Sequence, residues 1–281
     1  MSEQSYSGKT VLITGGGSGL GRAMALAFAA QGATVCTIGR RQEAVDETSA
    51  FIAQDGGSAF GLSCDVRDPA RVAEVIEEVV KRTGRLDVLV NNAAGNFVAP
   101  SEMLSPNGFK AVVDIVLNGT FYCSRLAFEA LKESRGAILN IIASYAWSGE
   151  PGAVHSACAK AGVLAMTRTL AAEWGQFGIR ANAISPGPVH TEGTDKNLWS
   201  VADVEKKVTA QIPLGRLGLP EDIANAALWI CSPQAAWVSG ATLAVDGAHW
   251  LHGGTLNFRA AYDAIADKQK QNAPGRDVAK Y

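Results

Sequence analysis

Short apolar runs alternate with longer segments of helical periodicity along most of the chain. The predicted strands are Val11–Ile13, Thr34–Ile38, Ala59–Ser63, Leu86–Val90, Ala137–Ala143, Ile179–Ile184 and Ala241–Val245. The predicted helices are Gly19–Ala30, Glu43–Ala53, Pro69–Thr83, Pro106–Glu133, Val154–Trp174 and Pro220–Cys231. Strands that alternate with helices indicate a parallel sheet, because each parallel connection needs a crossover. The pattern predicts a Rossmann-type, doubly wound α/β fold with three α/β/α layers.

The domain organisation follows from the continuity of this alternation. No internal repeat, low-complexity tract or linker interrupts residues 8 to 248. We therefore predict a single domain over residues 1–281, with a core over 8–250. The tail, residues 251–281, is polar with a helical pattern and is interpreted as an appendage.

Composition narrows the classes of partner. Hydrophobic residues make up 47% of the chain and charged residues 19%, with a formal net charge of −2. This balance gives no reason to expect nucleic acid or an anionic membrane as the main partner. With no membrane-length apolar run and no secretory or peroxisomal signal, the expected location is cytoplasmic. The five cysteines and four histidines have no metal-ligand spacing, so no metal site is predicted.

A glycine cluster lies directly between the first predicted strand and the first predicted helix. Glycines there allow a tight turn and a close approach to a pyrophosphate, which the helix N-terminus attracts. This setting favours nucleotide binding over an ordinary flexible turn. The predicted cofactor-binding residues of this loop are Gly15, Gly17, Ser18, Gly19, Leu20 and Gly21.

The residues after the second strand bear on the choice of nucleotide. An acid at this point would bind the ribose 2′-hydroxyl of NAD, but the chain has Gly39-Arg40-Arg41. Two guanidinium groups suit the 2′-phosphate of NADP, although solvated arginines opening a helix would look the same, and Glu43 is nearby. We predict NADP(H). Asp65, after the third strand, is predicted either to contact the adenine amino group or to cap the following helix.

Taken together, the motifs resemble those of the short-chain dehydrogenase/reductase family. The matching segments are Thr14–Gly21, Cys64–Val66, Asn91–Gly95, Asn118, Ala159–Gly162, Pro186–Val189 and Pro213–Asp222. The resemblance implies that Asn91 stabilises the central strand and that Lys160 binds the nicotinamide ribose. It implies a tetramer or a dimer, and we predict a homotetramer. It also implies further cofactor contacts from Asp65, Val66, Asn92, Ala93, Ala94, Pro186, Gly187, Val189 and Thr191.

One position departs from the usual family pattern. Most members have a tyrosine four residues before the lysine, where the ammonium favours the phenolate that moves protons. This chain has Ser156 there, and serine is a far poorer acid. Two residues after the fifth strand are possible replacements: Ser144, near the family's carbonyl-polarising serine, and Tyr145, whose alternative role is to pack as a half-buried aromatic.

This arrangement resembles the 2,4-dienoyl-CoA reductase branch of the family, in which a tyrosine at the position of Tyr145 donates the proton. The resemblance rests on Asn91–Phe97, Ser105–Asn107, Asp114–Thr120, Tyr145-Ala146, Ser156–Lys160, Ala171–Gly175 and Pro186–Pro188. It implies reduction of a 2,4-dienoyl-CoA thioester to a 3-enoyl-CoA in fatty-acid oxidation, with hydride added at C5 and a proton at Cα. The dienolate needs hydrogen-bond donors, for which Asn96, Tyr145 and Ser156 are candidates.

Asn118 interrupts the long predicted helix, and the resemblance implies that its backbone holds a water leading to Lys160. A simple helix kink is the other interpretation. Two alternatives to the whole hypothesis stay open. One is a carbonyl or alcohol oxidoreductase that acts on a ketone or a 3-oxoacyl thioester. The other is an idle NADP-binding scaffold.

Overall fold

The computed structural model describes residues 5–192 and 204–252, which form a parallel seven-stranded sheet in the order β3-β2-β1-β4-β5-β6-β7. The strands are β1 Thr10–Thr14, β2 Thr34–Gly39, β3 Ser58–Ser63, β4 Val88–Asn91, β5 Ala137–Ile141, β6 Arg180–Pro186 and β7 Thr242–Val245. The order reverses between β1 and β4, where doubly wound sheets bind their ligands. The predicted fold class is confirmed.

Helices cover both faces of the sheet. They are α1 Gly19–Ala30, α2 Gln42–Gln54, α3 Pro69–Thr83, α4 Pro106–Val113, α5 Gly119–Leu126, α6 Phe128–Ser134, α7 Tyr145–Ser148, α8 Val154–Trp174, α9 Val204–Thr209, α10 Pro220–Cys231 and α11 His249–His252. Short 3₁₀ turns lie at Ser101–Met103, Gly175–Phe177 and Pro233–Ala235.

Alternation along the strands divides the core into two layers. Val11 and Ile13 of β1 face one layer, where Phe28 of α1 is fully buried. Leu12, between them, faces the other layer with Leu131 of α6. This period of two explains why the strands are apolar along their whole length: both faces of the sheet are buried.

The predicted single helix over 106–133 is wrong. The segment is α4, then a π-helical turn at Asp114–Asn118, then α5, and it bends by 53° before α6. The widened turn places Leu117 against α8, where a Cβ on Gly162 would lie 2.9 Å from a Leu117 methyl group. Packing against a neighbouring helix therefore selects a local geometry that hydrophobic periodicity does not encode.

Two other sequence predictions meet the limits of the described residues. The predicted appendage, 251–281, lies outside them from residue 253 onward. Within the described ranges no single helix has the length and apolarity of a membrane span, and only the bent pair Pro106–Leu126 and Phe128–Ser134 meets those criteria jointly.

Candidate functional site

The glycine loop between β1 and α1 is built so closely that larger residues do not fit. Gly15 and Gly19 have φ values of +67° and +51°, in the left-handed region. An added Cβ on Gly21 would lie 2.2 Å from the Gly15 carbonyl oxygen, and one on Gly17 would lie 2.9 Å from the Ala44 Cβ. The loop can therefore bring its backbone close to a bound group.

The N-terminus of α1 is open for an anion. Its N-cap residue, Ser18, makes no side-chain capping bond, and the first turn contains no acid. The N–H groups and positive dipole end of this helix are thus available to a phosphate. Leu20, the next predicted contact, is partly buried and packs its side chain against the core layer of α1.

Hydrogen bonds of Thr14 and Asn92 connect the start of the glycine loop with the end of the neighbouring strand β4. The Thr14 hydroxyl accepts hydrogen bonds from the backbone N–H groups of Asn92 and Ala93, at 2.9 and 2.8 Å. The Asn92 amide donates to the carbonyl oxygens of Thr14 and Gly15. Sequence reasoning missed this role of Thr14. Its signal is a hydroxyl at the end of a buried strand, directly before the glycines.

Arg40 and Arg41 are exposed at the carboxyl end of β2, one strand away from the glycine loop. Neither guanidinium hydrogen-bonds or ion-pairs with any residue in the described ranges 5–192 and 204–252. Arg41 is also the N-cap residue of α2 and gives no side-chain cap. Two unpaired cations at this position can take a phosphate.

Asp65 does not cap the helix that follows it. Asp68 caps α3, accepting from the N–H groups of Ala70 and Arg71. Asp65 instead pairs with Arg67 at 2.5 Å, and this hydrogen bond lowers the pKa of its carboxyl below the usual value. The capping alternative is wrong. Its predicted neighbour Val66 is buried, and a Cβ on Gly119 would lie 2.6 Å from it.

The segment after β6 returns towards the glycine loop. Gly187 is held against β7, since an added Cβ there would lie 2.6 Å from the Asp246 Cα. Val189 is buried and forms a parallel bridge with Gly218. Thr191 then reaches Gly19, whose Cβ position lies 3.6 Å from the Thr191 Cβ. The structure thus brings two predicted cofactor-binding segments together.

Tyr145 and Ser156 meet across the gap between α7 and α8. The phenol oxygen of Tyr145 lies 3.1 Å from the Ser156 hydroxyl, within hydrogen-bonding distance. Tyr145 is the first residue of α7, a one-turn helix that ends at Gly149, where φ is +75°. The phenol therefore occupies the neighbourhood of the helix position that the usual family tyrosine would hold.

Lys160 lies one turn after Ser156 on the same face of α8. Its side chain is buried, and its ammonium donates to the Ile141 carbonyl oxygen at the end of β5. Burial lowers the pKa of Lys160 to about 8. Its charge is thus sensitive to what binds beside it.

Ser144, Asn118 and Asn96 are the other residues predicted to be catalytic. Ser144 directly precedes Tyr145 and is half-buried. Asn118 ends the π turn, and its side-chain amide donates to the Asp114 carboxylate at 3.0 Å. Asn96 is exposed on the loop after β4.

The loop that carries Asn96 is anchored on the start of α8 and on the loop before it. The Phe97 ring packs on His155, with centroids 4.5 Å apart, and the Ala99 N–H donates to the Gly152 carbonyl oxygen. His155 is fully buried in this packing. The loop after β4 and the loop before α8 therefore form one wall of the site.

The comparisons with known proteins agree with this geometry. The family model described as enoyl-(acyl carrier protein) reductase matches residues 15–248. A Bacillus subtilis protein named "Probable 2,4-dienoyl-CoA reductase", described as producing (2E)-enoyl-CoA, is 47% identical over 87% of this chain and 97% of its own length. A Caenorhabditis elegans protein of the same printed name, described as producing (3E)-enoyl-CoA, is 40% identical over 92% of this chain and 86% of its own length.

Solved structures extend the likeness. A short chain dehydrogenase from Bacillus anthracis superposes with a TM-score of 0.80 at 45% identity, covering 89% of this chain and 99% of that one. A Beutenbergia cavernae protein, described as an NAD(P)-dependent gluconate 5-dehydrogenase with bound NADP at low occupancy, has a TM-score of 0.82 at 37% identity. That match covers 88% of this chain and 99% of the other.

Proposed function

The chain belongs to the short-chain dehydrogenase/reductase family, and from that premise we propose that it is an NADPH-dependent 2,4-dienoyl-CoA reductase. The observation that carries the proposal is the contact between the Tyr145 phenol and the Ser156 hydroxyl at 3.1 Å. A proton-donating phenol is thereby available although the usual helix position holds a serine. The relatives named as dienoyl-CoA reductases support the choice of substrate.

The described residues fit a bound NADPH. The glycine loop leaves no room for side chains, the N-terminus of α1 is uncapped, and Arg40 and Arg41 are unpaired within the described ranges. We assign the pyrophosphate to the glycine loop and Thr191, and the 2′-phosphate to the two arginines. When bound, NADPH supplies the hydride that the substrate receives at C5.

The side chains of the site then handle the charge and the proton. Electrons displaced from the C4–C5 double bond move along the conjugated system onto the thioester oxygen. Asn96, Tyr145 and Ser156 are the hydrogen-bond donors proposed to stabilise that oxygen. Tyr145 gives its proton to Cα, directly or through water, which leaves the remaining double bond between C3 and C4.

In this proposal Lys160 orients the cofactor and stabilises Tyr145 after the phenol has lost its proton. As an ammonium it donates to the ribose hydroxyls and favours the phenolate form of Tyr145 after the proton has left. The Asn118 backbone is proposed to hold the water through which a new proton reaches the site. Ser144 stands beside Tyr145 and is proposed to orient the thioester.

The position of protonation distinguishes two products. Protonation at Cα gives a 3-enoyl-CoA, the product in the name of the Caenorhabditis relative, whereas protonation at C4 would give the 2-enoyl-CoA named for the Bacillus relative. We propose the 3-enoyl product, because donors on the thioester oxygen hold the carbonyl end of the substrate beside the Tyr145 phenol.

The test is incubation of the protein with NADPH and 2,4-hexadienoyl-CoA. We expect the absorbance of both the cofactor and the conjugated thioester to fall, and NMR of the product to show a C3–C4 double bond. A C2–C3 double bond would keep the reductase but refute protonation at Cα. Turnover of a ketone or 3-oxoacyl thioester alone would support the carbonyl alternative, and NADPH binding without any turnover would support the idle scaffold.

Assembly and location complete the proposal. Family members are commonly tetramers, and the exposed Phe109 of α4 and Phe121 of α5 provide apolar surface for subunit contact. We propose a cytoplasmic homotetramer. Size-exclusion chromatography with light scattering should give about four times the chain mass of 29.3 kDa.

A further inference from the structure

Two indole rings form a contact at the carboxyl edge of the sheet. Trp147 of α7 and Trp250 of α11 pack edge to face, with ring centroids 5.6 Å apart and planes at 82°. Each is still partly exposed, by 38% and 42% respectively. The pair therefore leaves apolar surface uncovered next to the candidate site.

The place of this contact follows from the strand order. α7 follows β5, α11 follows β7, and β6 lies between these two strands. Neighbouring strands are about 4.8 Å apart, so a contact between the two segments crosses the carboxyl end of β6. The Pro186–Thr191 segment, which contains four of the predicted cofactor contacts, begins there.

Both rings are carried on backbone that is tied to the site. The Asp246 carboxylate accepts from the N–H groups of Ala248 and Trp250, each at 2.9 Å, and Asp246 itself packs on Gly187. Trp147 stands two residues after Tyr145, and its N–H donates to the Ser144 carbonyl oxygen at 3.1 Å. The indoles thus have defined positions relative to the proton donor.

We propose that the Trp147–Trp250 pair binds the hydrocarbon chain of the substrate beyond C5 and sets the preferred chain length. The inference rests on the proposed function, because C5 receives the hydride and the alkyl chain continues directly from it. The coenzyme A end is a poor fit for this surface. Residues 145–153 and 246–252 contain Glu150 and Asp246 but no lysine or arginine to meet its phosphates.

The test compares 2,4-dienoyl-CoA thioesters of six and ten carbons in the wild type and in Trp147→Ala. Each fully buried methylene is worth about a fourfold gain, so partial burial of four allows a preference of roughly 30-fold. We expect Trp147→Ala to lower kcat/KM about 30-fold for the ten-carbon thioester and only about threefold for the six-carbon thioester. Trp147→Phe should recover most of the loss, and Trp250→Ala should behave like Trp147→Ala.

The matched control is Trp237→Ala. This substitution removes a fully exposed indole from the segment that precedes β7, at the amino ends of the strands. It should change neither value. Equal losses at both chain lengths, or no loss for the ten-carbon thioester, would overturn the inference while the reductase assignment stands.

Failure of the function itself is separable. If the wild type reduces no dienoyl thioester, calorimetry with hexanoyl-CoA and decanoyl-CoA on the NADP⁺-bound protein still judges the indole pair. A preference for decanoyl-CoA that Trp147→Ala removes would support the pair as a hydrocarbon site. Equal affinities in the wild type would refute it.

Discussion

The nucleotide-binding region and the reaction region of this protein achieve their functions by opposite means. In β1, α1 and β2 the backbone itself forms the binding surface. The decisive feature is the absence of side chains at Gly17 and Gly21. In α7 and α8 the side chains form the site, to which the two helices contribute Tyr145, Ser156 and Lys160. The first arrangement suits any dinucleotide enzyme, whereas we propose that the second determines which reaction is possible.

The comparison also explains why the tyrosine could change place. Lys160 of α8 is buried, and its ammonium donates to the Ile141 carbonyl oxygen at the end of β5. A phenol from α7 reaches the Ser156 hydroxyl across a single helix–helix contact. We therefore expect substitutions in α7 and α8 to change the chemistry while the glycine loop is untouched.

The largest effect on cofactor binding is expected from Gly21→Ala, which tests the backbone region. The new Cβ would lie 2.2 Å from the Gly15 carbonyl oxygen, so the loop must shift. We expect NADPH affinity to fall more than about 100-fold, measured by cofactor fluorescence. The control is Gly175→Ala, where no heavy atom lies within 4 Å of the added Cβ. Unchanged affinity in Gly21→Ala would show that the loop does not need its close packing.

Arg40→Ala tests whether a side chain at the end of β2 contributes to nucleotide binding. Loss of charge-assisted hydrogen bonds to the 2′-phosphate should weaken NADPH about 30-fold and leave NADH nearly unchanged. Binding titrations with both cofactors measure this, with the exposed Arg168→Ala as control. Equal weakening of the two cofactors would contradict the NADP assignment.

The smallest effect concerns stability in the reaction region. Burial lowers the pKa of Lys160 from 10.5 to about 8, so the unfolded chain binds more protons than the folded protein between these values. The destabilisation is fully present below pH 8 and fades as pH rises towards 10.5. Between pH 7 and 9 the cofactor-free wild type should gain about 1 kcal/mol in free energy of unfolding relative to Lys160→Met. Urea titrations measure this, and a constant difference would mean that the lysine is not buried as an ammonium.

The same two regions differ in how far the sequence predicted them. The sheet and most helices followed from hydrophobic periodicity, and the glycine loop from its place between a strand and a helix. The sequence predicted an interruption at Asn118 but not the π turn over Asp114–Asn118, because that turn depends on how Leu117 packs against Gly162 of α8. Likewise, Trp147 and Trp250 are 103 residues apart along the chain, so only the strand order brings them together.

The reaction region was predicted through a missing residue. Because position 156 holds a serine, Tyr145 was predicted to donate the proton. The structure places the two hydroxyls in contact. The side-chain contacts of Asp65 and Val66 could not be predicted from the sequence. Asp65 pairs with Arg67 rather than capping α3, and Val66 is buried under α5, because both outcomes depend on local side-chain packing.

The most direct test of the central claim compares Tyr145→Phe with Ser156→Ala in the reduction of 2,4-hexadienoyl-CoA by NADPH. If the phenol after β5 supplies the proton, Tyr145→Phe should lower kcat by about 10² to 10⁴-fold, with NADPH affinity nearly unchanged. Ser156→Ala, which removes only one donor to the thioester oxygen, should lose much less. A kcat that survives in Tyr145→Phe and collapses in Ser156→Ala would contradict the claim.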